Sequence, residues 1–214
     1  MKNLWKKILF IGNSFTRRND LVGTIKSLDR TTNALDIYEC TMGGASWWRH
    51  VRDSAHCITA NAHWDVVVLQ EQSNIMLHPN YNLDPATTLA QMIRENNPDT
   101  SIMLFETWPY QNGWSNKYNR EEMRAILQAK YLQVGELINA EQVVLVGDAV
   151  TYVSNSVGAG NSMWDWDGRH PSKDTTYLAA CMFYQTLTGF LPDITDDDKK
   201  RFLQDVSSLF LKTI

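Results

Sequence analysis

The sequence predicts an α/β fold in which a five-stranded parallel sheet is covered on both faces by helices. Short apolar runs, typical of strands buried on both faces, alternate along the chain with longer segments whose apolar residues recur at helical spacing. The 214 residues contain no internal repeat, low-complexity tract or linker. The whole chain, residues 1–214, is therefore predicted to form a single domain with a core of its own.

The first strand and the first helix enclose the most unusual turn of the chain. Residues 8–11 form an apolar run that is bounded by Gly12, which is typical of a buried strand that ends abruptly. Asn19 or Asp20 can cap the helix that follows. Ser14 is therefore expected in a tight strand-to-helix turn, close to backbone N–H groups and to the positive end of a helix dipole.

The other strands and helices follow from the same two patterns. Loose alternation marks the second strand and continuous apolar runs mark the remaining three. These strands are predicted at residues 34–41, 64–69, 102–105 and 143–146. An N1 proline, apolar stripes and capping residues predict helices at about residues 47–60, 85–97, 119–139 and 175–188, and a last helix from Thr195 with Asp198 in a variant capping box. A loop rich in Gly, Ser and Asn is predicted at residues 154–162.

Composition and charge argue against several classes of partner. The net charge of -4 leaves no basic stripe for nucleic acid or for an anionic membrane. No segment reaches the length of a membrane-spanning helix. Lys2, Lys6 and Lys7 precede an apolar run that is too short for a signal peptide. The chain as given is therefore interpreted as cytoplasmic, or as periplasmic or secreted if a leader was removed.

Cysteine and histidine spacing predict neither a disulfide framework nor a metal site. Cys40, Cys57 and Cys181 are odd in number and include no Cys-x-x-Cys pair, so they are expected to be small core residues. The spacing of the histidines matches no zinc pattern; those considered are His50, His56 and His63. No metal and no cofactor is expected.

Polar or glycine-containing turns follow every predicted strand. Right-handed crossovers would place the carboxyl ends of all the strands at one edge of the sheet, where α/β proteins bind ligands. The residues expected there are Ser14, Gly44, Gln70, Gln72, Glu106, Trp108, Asp167 and His170. If the strand order is 2-1-3-4-5, Ser14 and Gln72 lie on adjacent strand ends.

Three of these residues suit hydrolysis of an ester by a serine. This reaction needs a base within hydrogen-bond reach of the hydroxyl, a carboxylate that orients the base and donors for the oxyanion. Asp167 lies three residues before His170, so it can hold one imidazole nitrogen while the other faces Ser14. Asp165 competes for the carboxylate role, and Asp148 does so more weakly.

A pair of carboxylates offers an alternative chemistry. Glu71 and Glu106 both follow predicted strands and could form the acid and base of a glycosidase. This alternative leaves the serine, the histidine and Asp167 without a role.

The order of these motifs resembles that of the SGNH hydrolases, also called GDSL esterases and lipases. The similarity covers essentially the whole chain; its four blocks are Gly12-Asn13-Ser14-Phe15, Gly44, the amide segment after the third strand, and Asp167-x-x-His170. The resemblance implies a flavodoxin-like three-layer sandwich. It also implies Ser14 as nucleophile, His170 as general base and acid, and Asp167 as the residue that orients the imidazole.

The resemblance further implies an oxyanion hole, in which one contributor is left open. The backbone N–H groups of Ser14 and Gly44 would be joined by a side-chain amide. The usual Gly-x-Asn-Asp is replaced here by Gln70-Glu71-Gln72-Ser73, and alignment on the strand gives the role to Gln72. The segment also resembles the Gln-Gly-Glu-Ser-Asn stretch of carbohydrate acetylesterases, which would give the role to Gln70. We favour Gln72, with Gln70 as the alternative.

The eight tryptophans suggest the class of substrate. Trp47, Trp108 and Trp166 fall in predicted loops or at element ends, where exposed aromatic planes could bind a sugar. The sequence therefore predicts a serine esterase that removes short acyl groups, such as acetyl, from a small-molecule or glycan ester. The alternatives are a lysophospholipase or thioesterase with the same machinery, and a non-catalytic glycan-binding protein. The sequence predicts no oligomeric state.

Overall fold

The computed structural model describes residues 6–29, 35–61, 63–156 and 163–211, and within these ranges it confirms the predicted α/β fold. One five-stranded sheet has the order β2-β1-β3-β4-β5, and every pairing is parallel. The strands are β1 (Lys6–Gly12), β2 (Leu35–Thr41), β3 (Val66–Leu69), β4 (Ser101–Phe105) and β5 (Gln142–Val144). This order places a switch point between β1 and β3, where their carboxyl ends form a crevice.

Helices cover both faces of the sheet. In the described part of the chain they are α1 (Ser14–Arg17), α2 (Leu21–Leu28), α3 (Trp47–Asp53), α4 (Ala55–Thr59), α5 (Ser73–Met76), α6 (Asp84–Asn96), α7 (Arg120–Leu137), α8 (Val146–Asn155), α9 (Lys173–Thr188) and α10 (Asp198–Phe210). Side chains alternate along a strand, so β1 sends Ile8 and Phe10 into one apolar core and Leu9 and Ile11 into the other. The result is the predicted three-layer sandwich.

Several helix boundaries differ from the prediction for local physical reasons. The predicted helix over 47–60 breaks at Ser54, which is buried and hydrogen-bonded through its hydroxyl to His50 Nδ1 at 2.6 Å. The last helix begins at Asp198 instead of Thr195, because the side chain of Asp197 caps it by accepting from the Lys200 N–H at 3.0 Å.

The fifth strand is shorter than predicted and leads into a helix that the sequence did not indicate. β5 ends at Val144, and α8 begins at Val146. The backbone of Gly147 lies against the turn that follows β4. A Cβ atom added to Gly147 would lie 2.4 Å from the Thr107 carbonyl oxygen. α8 also includes the first two residues of the loop predicted at 154–162; residues 157–162 lie outside the described ranges.

The expectation that no cysteine forms a disulfide is wrong for Cys40 and Cys57. Cys40 at the end of β2 and Cys57 in α4 form a disulfide, with their Cα atoms 6.2 Å apart. They are separated by 17 residues, and only the packing of α4 beside the sheet brings them together. Cys181 is a buried free thiol, as expected of a core cysteine.

The N-terminal lysines and the lengths of the helices bear on the expectations about a signal peptide and a membrane span. Lys6 and Lys7 begin β1, as the interpretation of this run as a first strand requires, whereas Lys2 lies outside the described residues. Among the residues that the structure describes, none of the helices is long and apolar enough to span a membrane.

Candidate active site

Ser14 is held in a tightly hydrogen-bonded turn at the carboxyl end of β1. It is the first residue of α1, and Asn13 caps this helix by accepting from the Phe15 N–H at 3.0 Å. Gln70, at the end of neighbouring β3, accepts from the Asn13 N–H at 2.9 Å and from the Thr16 hydroxyl at 3.0 Å. All of these contacts are buried, so the turn that carries the serine is fixed from both sides.

The imidazole of His170 connects Ser14 to Asp167. His170 Nε2 lies 2.9 Å from Ser14 Oγ, although the two residues are 156 positions apart in the chain. The other ring nitrogen, Nδ1, contacts Asp167 Oδ2. Asp167 Oδ1 accepts from the backbone N–H groups of Arg169 and His170, both at 2.9 Å. The structure thus brings the three residues into one hydrogen-bonded chain at the predicted edge of the sheet.

Asp167 is held in its ionised form. Burial alone would raise the pKa of this carboxyl, but the hydrogen bonds from the His170 ring and from the His170 and Arg169 N–H groups outweigh burial and lower the pKa to about 2. An ionised carboxylate favours the Nδ1–H tautomer, which leaves Nε2 as the atom that can accept the serine proton.

The two competing carboxylates are engaged elsewhere. Asp165 forms an ion pair with Arg18, and its other oxygen accepts from the Trp166 N–H at 2.8 Å. Asp148 pairs with Arg124 at 2.8 Å. Neither carboxylate contacts the His170 ring among the interactions of the described residues, so the geometry favours Asp167.

A cavity of about 260 Å³ opens over Ser14 and His170. Gly44 lines it from the turn after β2, and has a φ of +64°, a conformation that glycine adopts without strain. Phe15 and Tyr110 contribute aromatic surface to the same cavity. The site therefore has an open space in which a substrate could contact the serine.

Gln70 and Gln72, the two candidates for the side-chain amide of the oxyanion hole, have different environments in the structure. Gln70 is 1% exposed, and besides its two contacts in the Ser14 turn it donates Nε2 to the Glu71 carbonyl oxygen at 2.5 Å. Its amide is therefore used within the protein. Gln72, the residue that alignment on the strand favours for the oxyanion hole, lines the cavity.

Asn74 is a cavity residue that the sequence reasoning missed. It lies in α5 and lines the cavity beside Gln72, and its Oδ1 is buried without a hydrogen-bond partner among the described residues. The signal was present in the sequence, because the resemblance to Gln-Gly-Glu-Ser-Asn extends to this asparagine.

Two of the three tryptophans that were predicted to bind a sugar are buried in the core. Trp47 is 0% exposed and packs edge-on against Tyr131, with ring centroids 6.1 Å apart. Trp108 is 1% exposed and stacks on Phe15 at 4.6 Å, so it supports the Ser14 turn from behind. Neither offers a free ring face, because both are core residues next to the turns. Trp166 is 88% exposed beside Asp167 and keeps its ring accessible.

The glycosidase alternative is not supported by the positions of Glu71 and Glu106. Both side chains are 0% exposed and contact protein groups. Burial raises the pKa of Glu71 to about 7, against hydrogen bonds from Tyr81, Gln72 and Trp47. Burial also raises the pKa of Glu106, with the Asp148 charge acting in the same direction. A glycosidase pair must reach the substrate from both sides, and these carboxyls face the interior.

The histidines outside the site have structural partners. His50 is buried between the Gly12 carbonyl oxygen at 2.9 Å and Ser54, and burial lowers its pKa. His56 lies near Cys40 and Cys57, which is the one close group of potential metal ligands within the described ranges. The two sulfurs of this group are joined in the disulfide and are not thiolates, the form that binds metal.

Comparisons with known proteins support the fold. No protein-family model and no curated protein matches the chain. A solved structure of a DUF4886 family protein from Bacteroides uniformis has a TM-score of 0.76 and 18% identity, covering 97% of this chain and 95% of that chain. A lipase/acylhydrolase from Enterococcus faecalis has a TM-score of 0.64 and 18% identity, over 89% of this chain and 99% of that one.

The third similar structure is an acetylxylan esterase, Axe2 from Geobacillus stearothermophilus. Its TM-score is 0.64 at 18% identity, over 88% of this chain and 97% of that chain. The chain has the SGNH hydrolase fold. The likeness extends over nearly the full length of these structures, so the fold is shared as a whole rather than as a fragment.

Proposed function

We propose that this protein is a serine esterase of the SGNH type that removes short acyl groups, such as acetyl, from a carbohydrate. The observation that carries the proposal is the chain of contacts from Ser14 through His170 to Asp167, at the mouth of an open cavity. Similar folds in an acetylxylan esterase and in a lipase/acylhydrolase support the class of reaction.

In the proposed mechanism, Ser14 Oγ attacks the ester carbonyl carbon while His170 Nε2 takes the serine proton. Asp167 holds the ring and stabilises the imidazolium that forms. The imidazolium then protonates the leaving alcohol, which leaves an acyl-enzyme on Ser14. Water, activated by the same ring, releases the acid and restores the serine.

The oxyanion would be stabilised by three donors. The backbone N–H groups of Ser14 and Gly44 are two of them, and a side-chain amide from the segment after β3 is the third. We propose Gln72 or Asn74 for this role, because both line the cavity, whereas the Gln70 amide nitrogen donates to the Glu71 carbonyl oxygen and its oxygen accepts from the Ser14 turn.

The size of the cavity favours a short acyl group. Its volume of about 260 Å³ is small; sites for drug-sized ligands usually measure roughly 300–1,000 Å³. A lysophospholipase would need room for a long chain. The non-catalytic alternative is favoured only by the exposed ring of Trp166, which could bind a sugar without any chemistry.

Hydrolysis of p-nitrophenyl acetate tests the proposal. Ser14→Ala should lower kcat by at least roughly 10³-fold, because the nucleophile is lost while the cavity remains. Ser156→Ala is a matched control, since within the described ranges this hydroxyl bonds only the Tyr152 carbonyl oxygen at the end of α8. Wild-type protein without turnover, or equal turnover in Ser14→Ala, would contradict the proposal.

The third oxyanion donor can be identified by a second pair of variants. Either Gln72→Ala or Asn74→Ala should lower kcat by roughly 10²- to 10³-fold, while KM changes little. The other variant should have a much smaller effect. Unchanged kcat in both variants would show that neither amide binds the oxyanion.

A further inference from the structure

Arg169 is the one described residue lining the cavity that carries a permanent charge, and no carboxylate lines the cavity. It is exposed at the mouth, one position before His170. The chain as a whole has a net charge of -4, so a positive charge at this place is opposite in sign to the average of the molecule. Charge of one sign in a cleft selects ligands of the opposite sign.

The backbone of Arg169 is fixed on both sides. Its N–H donates to Asp167 Oδ1 at 2.9 Å, and its carbonyl oxygen accepts from Trp108 Nε1 at 2.9 Å. The turn before it contains Gly168 with a φ of +68°. The base of the Arg169 side chain is therefore positioned by the same contacts that position the His170 ring.

The guanidinium lies over an aromatic ring of the cavity wall. Its central carbon is 5.3 Å from the centroid of the Tyr110 ring. Stacking on a ring orients the plane of a guanidinium but leaves the N–H donors at its edge free. The contact with Tyr110 therefore holds the Arg169 N–H donors at the mouth of the cavity and leaves them free to bind a ligand.

Nearby carboxylates do not neutralise Arg169. No ion pair of Arg169 occurs among the described residues. Asp167 uses one oxygen for the His170 ring and the other for two backbone N–H groups. Asp165 is paired with Arg18. The fork of N–H donors is thus available to a ligand.

We propose that Arg169 binds an anionic oxygen group, a carboxylate or a phosphate, on the alcohol part of the substrate. A guanidinium fork matches either group with two charge-assisted hydrogen bonds. The alcohol part is the one that must lie at the mouth, because the small cavity receives the acyl group. This inference rests on the proposed function and narrows its substrates to esters of acidic alcohols, acylated acidic sugars among them.

The test compares matched acetyl esters. Values of kcat/KM are measured for 4-acetoxybenzoate, 4-acetoxyphenyl phosphate and the neutral 4-acetoxybenzamide, in wild type and in Arg169→Gln. The ratio of anionic to neutral ester should fall about tenfold in the variant, mainly through KM, since a charge-assisted pair is lost. Differences in leaving-group chemistry cancel, because the same esters are compared in both proteins.

Arg120→Gln is the matched control. Arg120 also lies over an aromatic ring, with its central carbon 5.5 Å from the Trp164 centroid, but it does not line the cavity. Its loss should leave the ratio at the wild-type value. Salt should weaken the preference of wild type for the anionic esters, because ions screen exposed charges. A fall for only one anionic ester identifies whether carboxylate or phosphate is the natural group.

Two outcomes separate this inference from the proposed function. If the neutral ester is hydrolysed in a Ser14-dependent way and the ratio is the same in wild type and in Arg169→Gln, the inference is overturned and the esterase stands. If no ester is hydrolysed, binding of 4-acetoxybenzoate to Ser14→Ala is measured by calorimetry, with and without Arg169→Gln. Weaker binding in the double variant supports the anion site, and equal or absent binding overturns it.

Discussion

Asp167 uses both carboxylate oxygens to hold the catalytic histidine of the proposed mechanism. One contacts the His170 ring, and the other accepts from the two backbone N–H groups that shape the turn. Asp167→Asn should lower kcat by roughly 10³- to 10⁴-fold, because an amide cannot favour the Nδ1–H tautomer as a carboxylate does. Steady-state kinetics with a short-chain ester measure this effect.

Asp165→Asn is the control for that substitution. Asp165 is only two positions away, but it pairs with Arg18 and not with the ring. The change should cost less than about tenfold in kcat, since an ion pair near the surface contributes little. Equal losses in the two variants would contradict the assignment of Asp167.

At the level of secondary-structure elements, Glu71 connects two turns that line the cavity. Its Oε1 accepts from the N–H of Trp47 at 2.9 Å, where α3 begins, and from the N–H of Gln72 at 2.6 Å, where α5 is capped. Oε2 contacts the Tyr81 hydroxyl. One buried carboxyl therefore fixes the Gly44 side and the Gln72 side of the cavity relative to each other.

Glu71 makes the stability of the fold depend on pH. Burial raises its pKa to about 7, whereas the unfolded chain has an ordinary value of about 4.3. Between these values the folded protein binds more protons than the unfolded one, so this group's contribution to stability falls as pH rises. The loss amounts to roughly 3 kcal/mol by pH 8.

Glu71→Gln should remove this dependence while its Oε1 still accepts from both N–H groups. Urea unfolding at pH 5 and pH 8 should show the variant gaining stability relative to wild type as pH rises. Glu121→Gln, on an exposed side chain, should follow wild type at both values. If Glu71→Gln and wild type lose stability in parallel, Glu71 does not titrate as described.

Strands and helices with a clear apolar pattern could be predicted from the sequence. Helix boundaries that depend on contacts in the folded chain could not. Most strands have continuous apolar runs, α7 has apolar residues at helical spacing, and the Asn119 capping box marks where α7 begins. The break at Ser54 depends on its contact with His50, and the start of α8 depends on the approach of Gly147 to Thr107. Gly147 and Thr107 are far apart in the chain, and the burial of Ser54 and His50, which are only four residues apart, is set by the fold around them.

At the scale of the whole molecule, the same distinction applies to the site. Ser14 and His170 could be predicted as neighbours because the sequence pattern placed each in a segment that comes after a strand, and a parallel sheet collects the strand ends at one edge; α8, which lies between β5 and His170, was not predicted. The burial of Trp47 and Trp108 could not, since an aromatic residue near a loop packs inward or outward according to what surrounds it. The disulfide was missed because Cys40 and Cys57 meet only in the folded chain.

The disulfide gives a prediction for the stability of the whole fold. Titration of thiols in denaturant should find one thiol before reduction, that of Cys181, and three after it. Cys57→Ser should lower the free energy of unfolding by roughly 2–4 kcal/mol, because the closed loop restricts the unfolded chain. Reduced wild type should match this variant. Three thiols without reduction would contradict the bridge.

The most direct test of the account is the site of covalent labelling by a fluorophosphonate. These reagents react with an activated serine and stop at the stage that resembles the acyl-enzyme. Mass spectrometry of the intact protein should show one adduct per chain, and peptide mapping should place it on Ser14; His170→Ala should slow its formation by several orders of magnitude. An unlabelled protein, or an adduct on another residue, would contradict the proposal that Ser14 is the nucleophile.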